Sequence, residues 1–189
     1  LGGFTNINAV IGGTNTDTFN GLAADSSWAV TGPEAVTYTR GNALDITGFE
    51  ILAGGNANDT LTFAAFNTAR GINVVAVGSV DGFDFTEATF SGRFYNINTL
   101  VGGAGDDALN GLDAVNTWHM TGLNSGTYNT DLLFSETEIL NGGSAVDTLD
   151  YSAYTAPVDI TLTAVAANGF AGTGTDLTGF SGMDVLTGG

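Results

Sequence analysis

Apolar and polar residues alternate at period two over residues 72–77 and 158–165. The first stretch opens Ile72-Asn73-Val74; the second reads Val158-Asp159-Ile160-Thr161-Leu162-Thr163. A period of two is that of a strand with one face turned to a core. Shorter strand candidates lie at 28–31, 59–63, 118–121 and 147–151. Runs between turn signals span about 4–8 residues, too short for ordinary helices. Gly, Asn and Asp punctuate them and supply the positive φ that tight corners need.

The pattern recurs. A phrase of the form Phe-x-x-Ile/Val-x-x-Leu-x-Gly-Gly, with Asp four residues on, returns at Gly12-Gly13, Gly54-Gly55, Gly102-Gly103 and Gly142-Gly143, and its glycines return at Gly188-Gly189. The spacings are 54−12=42, 102−54=48, 142−102=40 and 188−142=46 residues. Units of approximately 12–53, 54–101, 102–141 and 142–187 follow. Short and long units alternate, so the deeper period is 102−12=90. At that shift Phe4, Asn6 and Asn8 fall on Phe94, Asn96 and Asn98; Asp17, Asn20 and Gly21 fall on Asp107, Asn110 and Gly111; Trp28 and Tyr38 fall on Trp118 and Tyr128. The second unit falls on the fourth at 147−59=88, which matches Asp59-Thr60-Leu61 to Asp147-Thr148-Leu149 and Phe66 to Tyr154. The chain is two copies of an A–B super-repeat.

Short strands joined by Gly and Asn corners predict an all-β fold, a parallel β-helix (β-solenoid) in one repetitive segment 1–189, its core a ladder of stacked Leu, Ile, Val and Phe. Asn20-Gly21, Asn110-Gly111 and Asn141-Gly142 recur at fixed places in the units and are read as corners of a chain coiling in one direction, rather than as hairpins. Each unit suits two coils of roughly 20–24 residues, about eight coils in all. With layers about 4.8 Å apart, the body would be roughly 40 Å long.

Composition narrows the function. Hydrophobic residues make up 43% and only 2 Pro accompany 29 Gly, so a buried core rather than disorder is expected. Asp and Glu number 20 against 3 Arg and no Lys, a net charge of −17. Nucleic acid is excluded as a partner, because binding it needs Lys and Arg on phosphate. Anionic membrane surfaces are disfavoured for the same reason, and no apolar run approaches bilayer length. Absence of Cys removes disulfide and thiolate chemistry. The chain starts at Leu1 without Met and stops on Gly188-Gly189 inside the repeat phrase, as expected for a segment of a longer protein.

Two sets of residues are candidates for binding. Gly102-Gly103-Ala104-Gly105-Asp106-Asp107-Ala108-Leu109-Asn110 matches the calcium nonapeptide G-G-x-G-x-D-x-U-x. The other copies lack its third Gly. Calcium takes six to eight oxygens, and one isolated turn supplies about three. Asp17, Asp59, Asp107 and Asp147 are therefore read first as corner residues accepting backbone N–H groups. Calcium at Asp106 and Asp107 is the alternative. Trp28 and Trp118 suit core packing, with a carbohydrate-stacking platform as their alternative. Asn6/Asn8 and Asn96/Asn98 are read as an Asn ladder or corner bonds. His119 stands where the other copy has Ala29, and is read as a tolerated substitution.

Thr-x-Thr pairs do not keep register between copies: Thr37-Tyr38-Thr39 becomes Thr127-Tyr128-Asn129, which argues against an ice-binding face. Arg40, Arg70 and Arg93 lie far apart and unmatched between repeats, so no catalytic cluster is assigned and the chain is read as not an enzyme.

Phe49-Glu50-Ile51-Leu52-Ala53-Gly54-Gly55 followed by Asp59-Thr60-Leu61, with Asp147-Thr148-Leu149-Asp150-Tyr151, resembles the repeats of large bacterial secreted and cell-surface proteins, the filamentous-haemagglutinin-like and RTX-like giant adhesins. The resemblance implies a parallel β-helix and an extracellular or cell-surface setting. The expected role is a structural stalk, spacer or filament body, of adhesive character. A calcium-dependent RTX-type β-roll module and a carbohydrate-binding solenoid are the alternatives. The expected partners are neighbouring repeats of the same protein, other copies joined end to end, and a carbohydrate or a host or neighbouring-cell surface. No membrane insertion is expected.

Overall fold

The computed structural model describes residues 6–189. Phe4, matched above to Phe94, lies outside the described residues. The described chain is all β, with no helix.

Each unit lays down two short strands and then three longer ones. The first has β1 (Ala9–Ile11), β2 (Thr18–Asn20), β3 (Ser26–Gly32), β4 (Ala35–Arg40) and β5 (Asn42–Thr47). The second has β6 (Ile51–Ala53), β7 (Asp59–Thr62), β8 (Gly71–Val77), β9 (Phe83–Glu87) and β10 (Phe90–Ile97). The third has β11 (Thr99–Val101), β12 (Ala108–Asn110), β13 (Asn116–Gly122), β14 (Ser125–Tyr128) and β15 (Leu132–Ser135). The fourth has β16 (Ile139–Asn141), β17 (Asp147–Asp150), β18 (Ile160–Val165), β19 (Phe170–Gly174) and β20 (Leu177–Met183), and β21 (Val185–Thr187) follows.

These strands form two sheets, ordered β1-β5-β4-β3-β7-β11-β15-β14-β13-β17-β21 and β18-β19-β20-β16-β12-β8-β9-β10-β6-β2. Neighbouring layers pair in parallel, as in β7–β11–β15 and β8–β12–β16. That is the expected solenoid.

The expectation of coiling in one direction is corrected. Within each unit the last three strands form an antiparallel meander, as in β3–β4–β5 and β8–β9–β10. Period-two alternation marks a buried face and is blind to strand direction. The hairpins are not at Asn20-Gly21, Asn110-Gly111 or Asn141-Gly142, although Asn168-Gly169, with Gly169 at φ 63°, does join the antiparallel β18 and β19. One sits between β3 and β4, where Glu34 has φ 49°, and its equivalent between β13 and β14 has Asn124 at φ 49°. Asn tolerates this left-handed conformation better than Glu does.

The count of about eight coils is also corrected, to about five turns from β3 to β20, with β1–β2 before and β21 after. A unit visits the two sheets three times: short strand, short strand, meander. It therefore makes one and a half turns rather than two. The next unit starts on the opposite sheet, and two units are needed to restore the frame. This is the physical origin of the alternating short and long spacing. Each meander adds two strands to one sheet, so a sheet reaches eleven strands despite fewer turns. Ten gaps of about 4.8 Å make the body roughly 48 Å long.

The apolar ladder is present. Trp28, Leu61, Leu100 and Phe134 share register across one sheet; Ile72, Leu109, Leu140 and Phe180 share it across the other. All eight are buried. Burying a side chain of this size contributes about 1.5–3 kcal/mol.

Candidate functional site

The recurring Gly-Gly…Asp corner is the most regular chemical feature, and each of its parts has one task. The Asp Oδ2 accepts the N–H of the second glycine in all four copies: Gly13 to Asp17, Gly55 to Asp59 (2.8 Å), Gly103 to Asp107 and Gly143 to Asp147 (2.8 Å). The Asp backbone N–H then reaches into the following layer, to Glu50 (2.8 Å), Asn98 (3.0 Å), Glu138 (2.8 Å) and Asp184 (3.0 Å). Two residues before each acceptor the chain turns left-handed, at Gly48, Asn96, Glu136 and Gly182.

The first glycine faces that turn. A Cβ on Gly12, Gly102 or Gly142 would overlap the carbonyl of Gly48, Glu136 or Gly182, and on Gly54 it would lie 2.6 Å from the Asn96 carbonyl. Glycine is required there because the layers touch backbone to backbone.

In the interior the corner Asp also receives a bond from the preceding layer. Asp107 Oδ1 accepts the Arg70 N–H (2.7 Å), Asp147 Oδ1 accepts the Asn116 side-chain amide (2.8 Å), and Asp59 Oδ1 accepts the Ser26 hydroxyl. Asp59, Asp107 and Asp147 are fully buried, whereas Asp17 at the first layer is only half-buried. Burial pushes Asp147 above the ordinary 3.8, against the bonds it accepts from Asn116 and Gly143. Burial likewise pushes Glu138 above 4.5, against the backbone N–H bonds it accepts, with repulsion from Asp107 and Asp106 adding to the rise.

Asp106 and Asp107 are not brought onto one surface. Asp106 is exposed, while Asp107 is buried in the corner with both oxygens bonded to backbone N–H groups. Among the described residues, no group of three or more Asp, Glu, His or Cys is disposed to hold a metal ion.

Trp28 and Trp118 have no face to offer a sugar. Both indoles are 0% exposed and pack on Tyr38 and Tyr128, ring centroids 4.6 and 4.5 Å apart. Core packing, the first reading of these residues, is what the structure shows, and their alternative as a carbohydrate platform is corrected because their apolar surface is spent inside the core. Tyr38 and Tyr128 in turn accept the N–H of Leu22 (3.1 Å) and Leu112 (2.9 Å) through their hydroxyls. The matched Asn-Gly-Leu segments thus close over matched Trp–Tyr pairs. Burial raises the Tyr128 hydroxyl to about 12.

Several features escaped the sequence reading. An amide ladder runs across one sheet: Asn110 donates to Asn73 (3.0 Å), Asn141 to Asn110 (2.8 Å), and Ser181 to Asn141 (2.6 Å). It lies on β8, β12, β16 and β20, not at the Asn pairs singled out. Of those pairs, Asn98 accepts the Asp59 N–H and Asn96 accepts the Val80 N–H (3.2 Å), so they are corner bonds. The signal was the recurrence of Asn at 73, 110 and 141, each directly after an aliphatic residue of the core ladder (Ile72, Leu109, Leu140), hidden by unequal spacing.

His119 Nδ1 lies 2.8 Å from Asp150 Oδ2, on adjacent parallel strands. Arg70 stacks on Phe66, 3.6 Å from the ring centroid, and pairs with Glu87 at 3.3 Å; their side chains are 11% and 2% exposed. The other super-repeat has Val158 and Gly174 at those places.

No family model, no curated protein and no solved structure matches the chain.

Proposed function

We propose that this chain is a length of stiff, acidic β-solenoid from a secreted or cell-surface bacterial protein. It serves there as a stalk, spacer or filament body, including that of an adhesin. The observation that carries the reading is the corner ladder. At each interior layer the recurring carboxylate accepts a backbone N–H on its own layer and a backbone or side-chain donor on the preceding one, so the residues that recur most faithfully act in holding layers together.

The apolar stacks support the same reading, because they run through consecutive layers and make bending costly along the whole length. A net charge of −17 suits an exposed body that must stay dispersed.

Two measurements test it. Small-angle scattering should give a rod close to 50 Å long, as layers about 4.8 Å apart require. An antibody against this segment should label intact cells of the source organism. Labelling only after permeabilisation would overturn the surface assignment, and a compact or fluctuating particle would overturn the rod.

A further inference from the structure

Asn-Gly is a pair at which a chain readily attacks itself, because no side chain crowds the nitrogen that follows the asparagine. Four such pairs occur: Asn20-Gly21, Asn110-Gly111, Asn141-Gly142 and Asn168-Gly169. Three are held. The N–H groups of Gly21, Gly111 and Gly142 donate to the carbonyls of Ala53 (2.8 Å), Asn141 (2.8 Å) and Ser181 (2.9 Å) in the adjoining layer. The side chains of Asn110 and Asn141 are also committed to the amide ladder.

The fourth pair is free. Asn168 is exposed in the hairpin between β18 and β19, and the Gly169 N–H donates to no described residue. The loop closes instead through the Ala166 N–H on the Gly169 carbonyl (3.1 Å). The glycine is demanded by the fold: its φ is 63°, and a Cβ there would lie 2.5 Å from the Met183 carbonyl oxygen. The hairpin thus fixes the residue that makes its neighbour labile.

Openness is a property of this hairpin and not of its layer. The equivalent one in the second unit, between β8 and β9, closes through the Gly78 N–H on the Gly82 carbonyl (2.9 Å). Gly82 has φ 56°, and a Cβ on it would overlap the Ile97 carbonyl. The next layer, β12, meets β8 only at Gly71, Ile72 and Asn73, at the other end of the strand, and Val80 in the loop stays 60% exposed. The residue that corresponds to Asn168 there is Asp81 (168−81=87, as 169−82=87).

We propose that Asn168 is a self-modification site, converted to aspartate and isoaspartate by its own backbone. The Gly169 amide loses its proton and its nitrogen attacks Cγ of Asn168. A new N–C bond closes a five-membered succinimide, the bond from Cγ to the side-chain nitrogen breaks, and ammonia leaves. Water then opens the ring. Opening between nitrogen and Cγ gives aspartate; opening at the backbone carbonyl leaves the chain running through the side chain, as isoaspartate. The balance is asparagine plus water to aspartate or isoaspartate plus ammonia. Each event adds a negative charge to the hairpin. Asp81 shows that this place in the loop accepts an aspartate, whereas isoaspartate lengthens the backbone where two strands must stay in register.

Holding the folded 189-residue chain above neutral pH for days tests this, followed by peptic digestion in acid, where ring closure stops. The peptide that contains Asn168 should gain about 1 Da, as replacement of an amide by a carboxyl requires, and isoaspartate methyltransferase should label the same peptide. Asn20, Asn110 and Asn141 react only after local opening and should be at least about tenfold slower. In guanidinium chloride the four should react at similar rates. Asn168→Ser should abolish the early gain and leave the other three rates and the circular dichroism spectrum unchanged. An Asn168 that stays intact in the folded chain would overturn the proposal, and so would four equal rates there.

Discussion

A Cβ added at Gly111 would lie 2.9 Å from Cζ2 of the buried Trp118 indole, and one at Gly21 would lie 2.6 Å from Cζ2 of Trp28. The glycine that looks like a corner marker is there because a tryptophan ring fills the space beside it. Gly111→Ala is expected to destabilise by about 1–3 kcal/mol, the usual range for an overpacked core, read by urea denaturation. Gly188→Ala in the same series should be neutral, since a Cβ there meets no neighbouring atom. Equal effects at the two positions would mean that backbone conformation, not the indole, sets the requirement.

Asp107→Ala removes the acceptor from two backbone N–H groups, the buried one of Gly103 and the part-buried one of Arg70. Each unpaired buried donor costs about 1–3 kcal/mol, so a loss of roughly 2–5 kcal/mol is expected. Asp106→Ala, at an exposed position, should stay within about 0.5 kcal/mol. The far-ultraviolet spectrum of the wild type should keep its β signature in excess EDTA. A chain that loses it, and recovers it on adding calcium, would make these carboxylates metal ligands instead.

Stability should rise as the pH falls from neutral toward the ordinary carboxylate range. Asp81, Asp84, Glu138 and Asp147 all have their values raised by burial. Between the unfolded and the raised native value the folded chain binds more protons than the unfolded one, so protonation favours the fold. Asp150 works the other way. Burial pushes it up, but the bonds from Ser152 and His119 outweigh this and leave it lowered. Its contribution is present above the ordinary Asp value and fades as the pH drops through the lowered one. Four groups against one set the sign, and falling net negative charge acts in the same direction. Thermal melts from pH 7 to about pH 5 check it; a midpoint that falls would contradict it.

Arg70→Val leaves the Glu87 carboxylate buried without its cation. A loss of about 3–5 kcal/mol is expected, as for other broken buried pairs. Adding Glu87→Gln should recover part of that loss, because no unpaired charge then remains. A double variant as unstable as the sum of its parts would show that Arg70 acts through its stacking on Phe66 instead.

His119→Ala should cost less than about 1 kcal/mol, since the pair with Asp150 is partly open to solvent. It should also move the Asp150 titration upward, as followed by NMR. An unmoved Asp150 would leave Ser152 as the group that lowers it.

The solenoid class, the A–B period and the corner role of Asp17, Asp59, Asp107 and Asp147 were legible because each depends on local chemistry. A period of two reports one buried face, Gly-Gly reports a backbone that must come close, and an Asp four residues on is within reach of the second glycine's N–H. Strand direction and partner are not local. The meanders, and with them the one and a half turns per unit, depend on which edge a strand meets in space. The same holds for the burial of Trp28 and Trp118, the amide ladder through Asn73, Asn110 and Asn141, and the pairs Arg70–Glu87 and His119–Asp150. Residues such as Asn110 and Asn73, or His119 and Asp150, stand more than 30 positions apart and meet only because layers stack. The sequence by itself determined that the chain would stack; the tertiary structure decided what lies against what, because only packing assigns each side chain its neighbour.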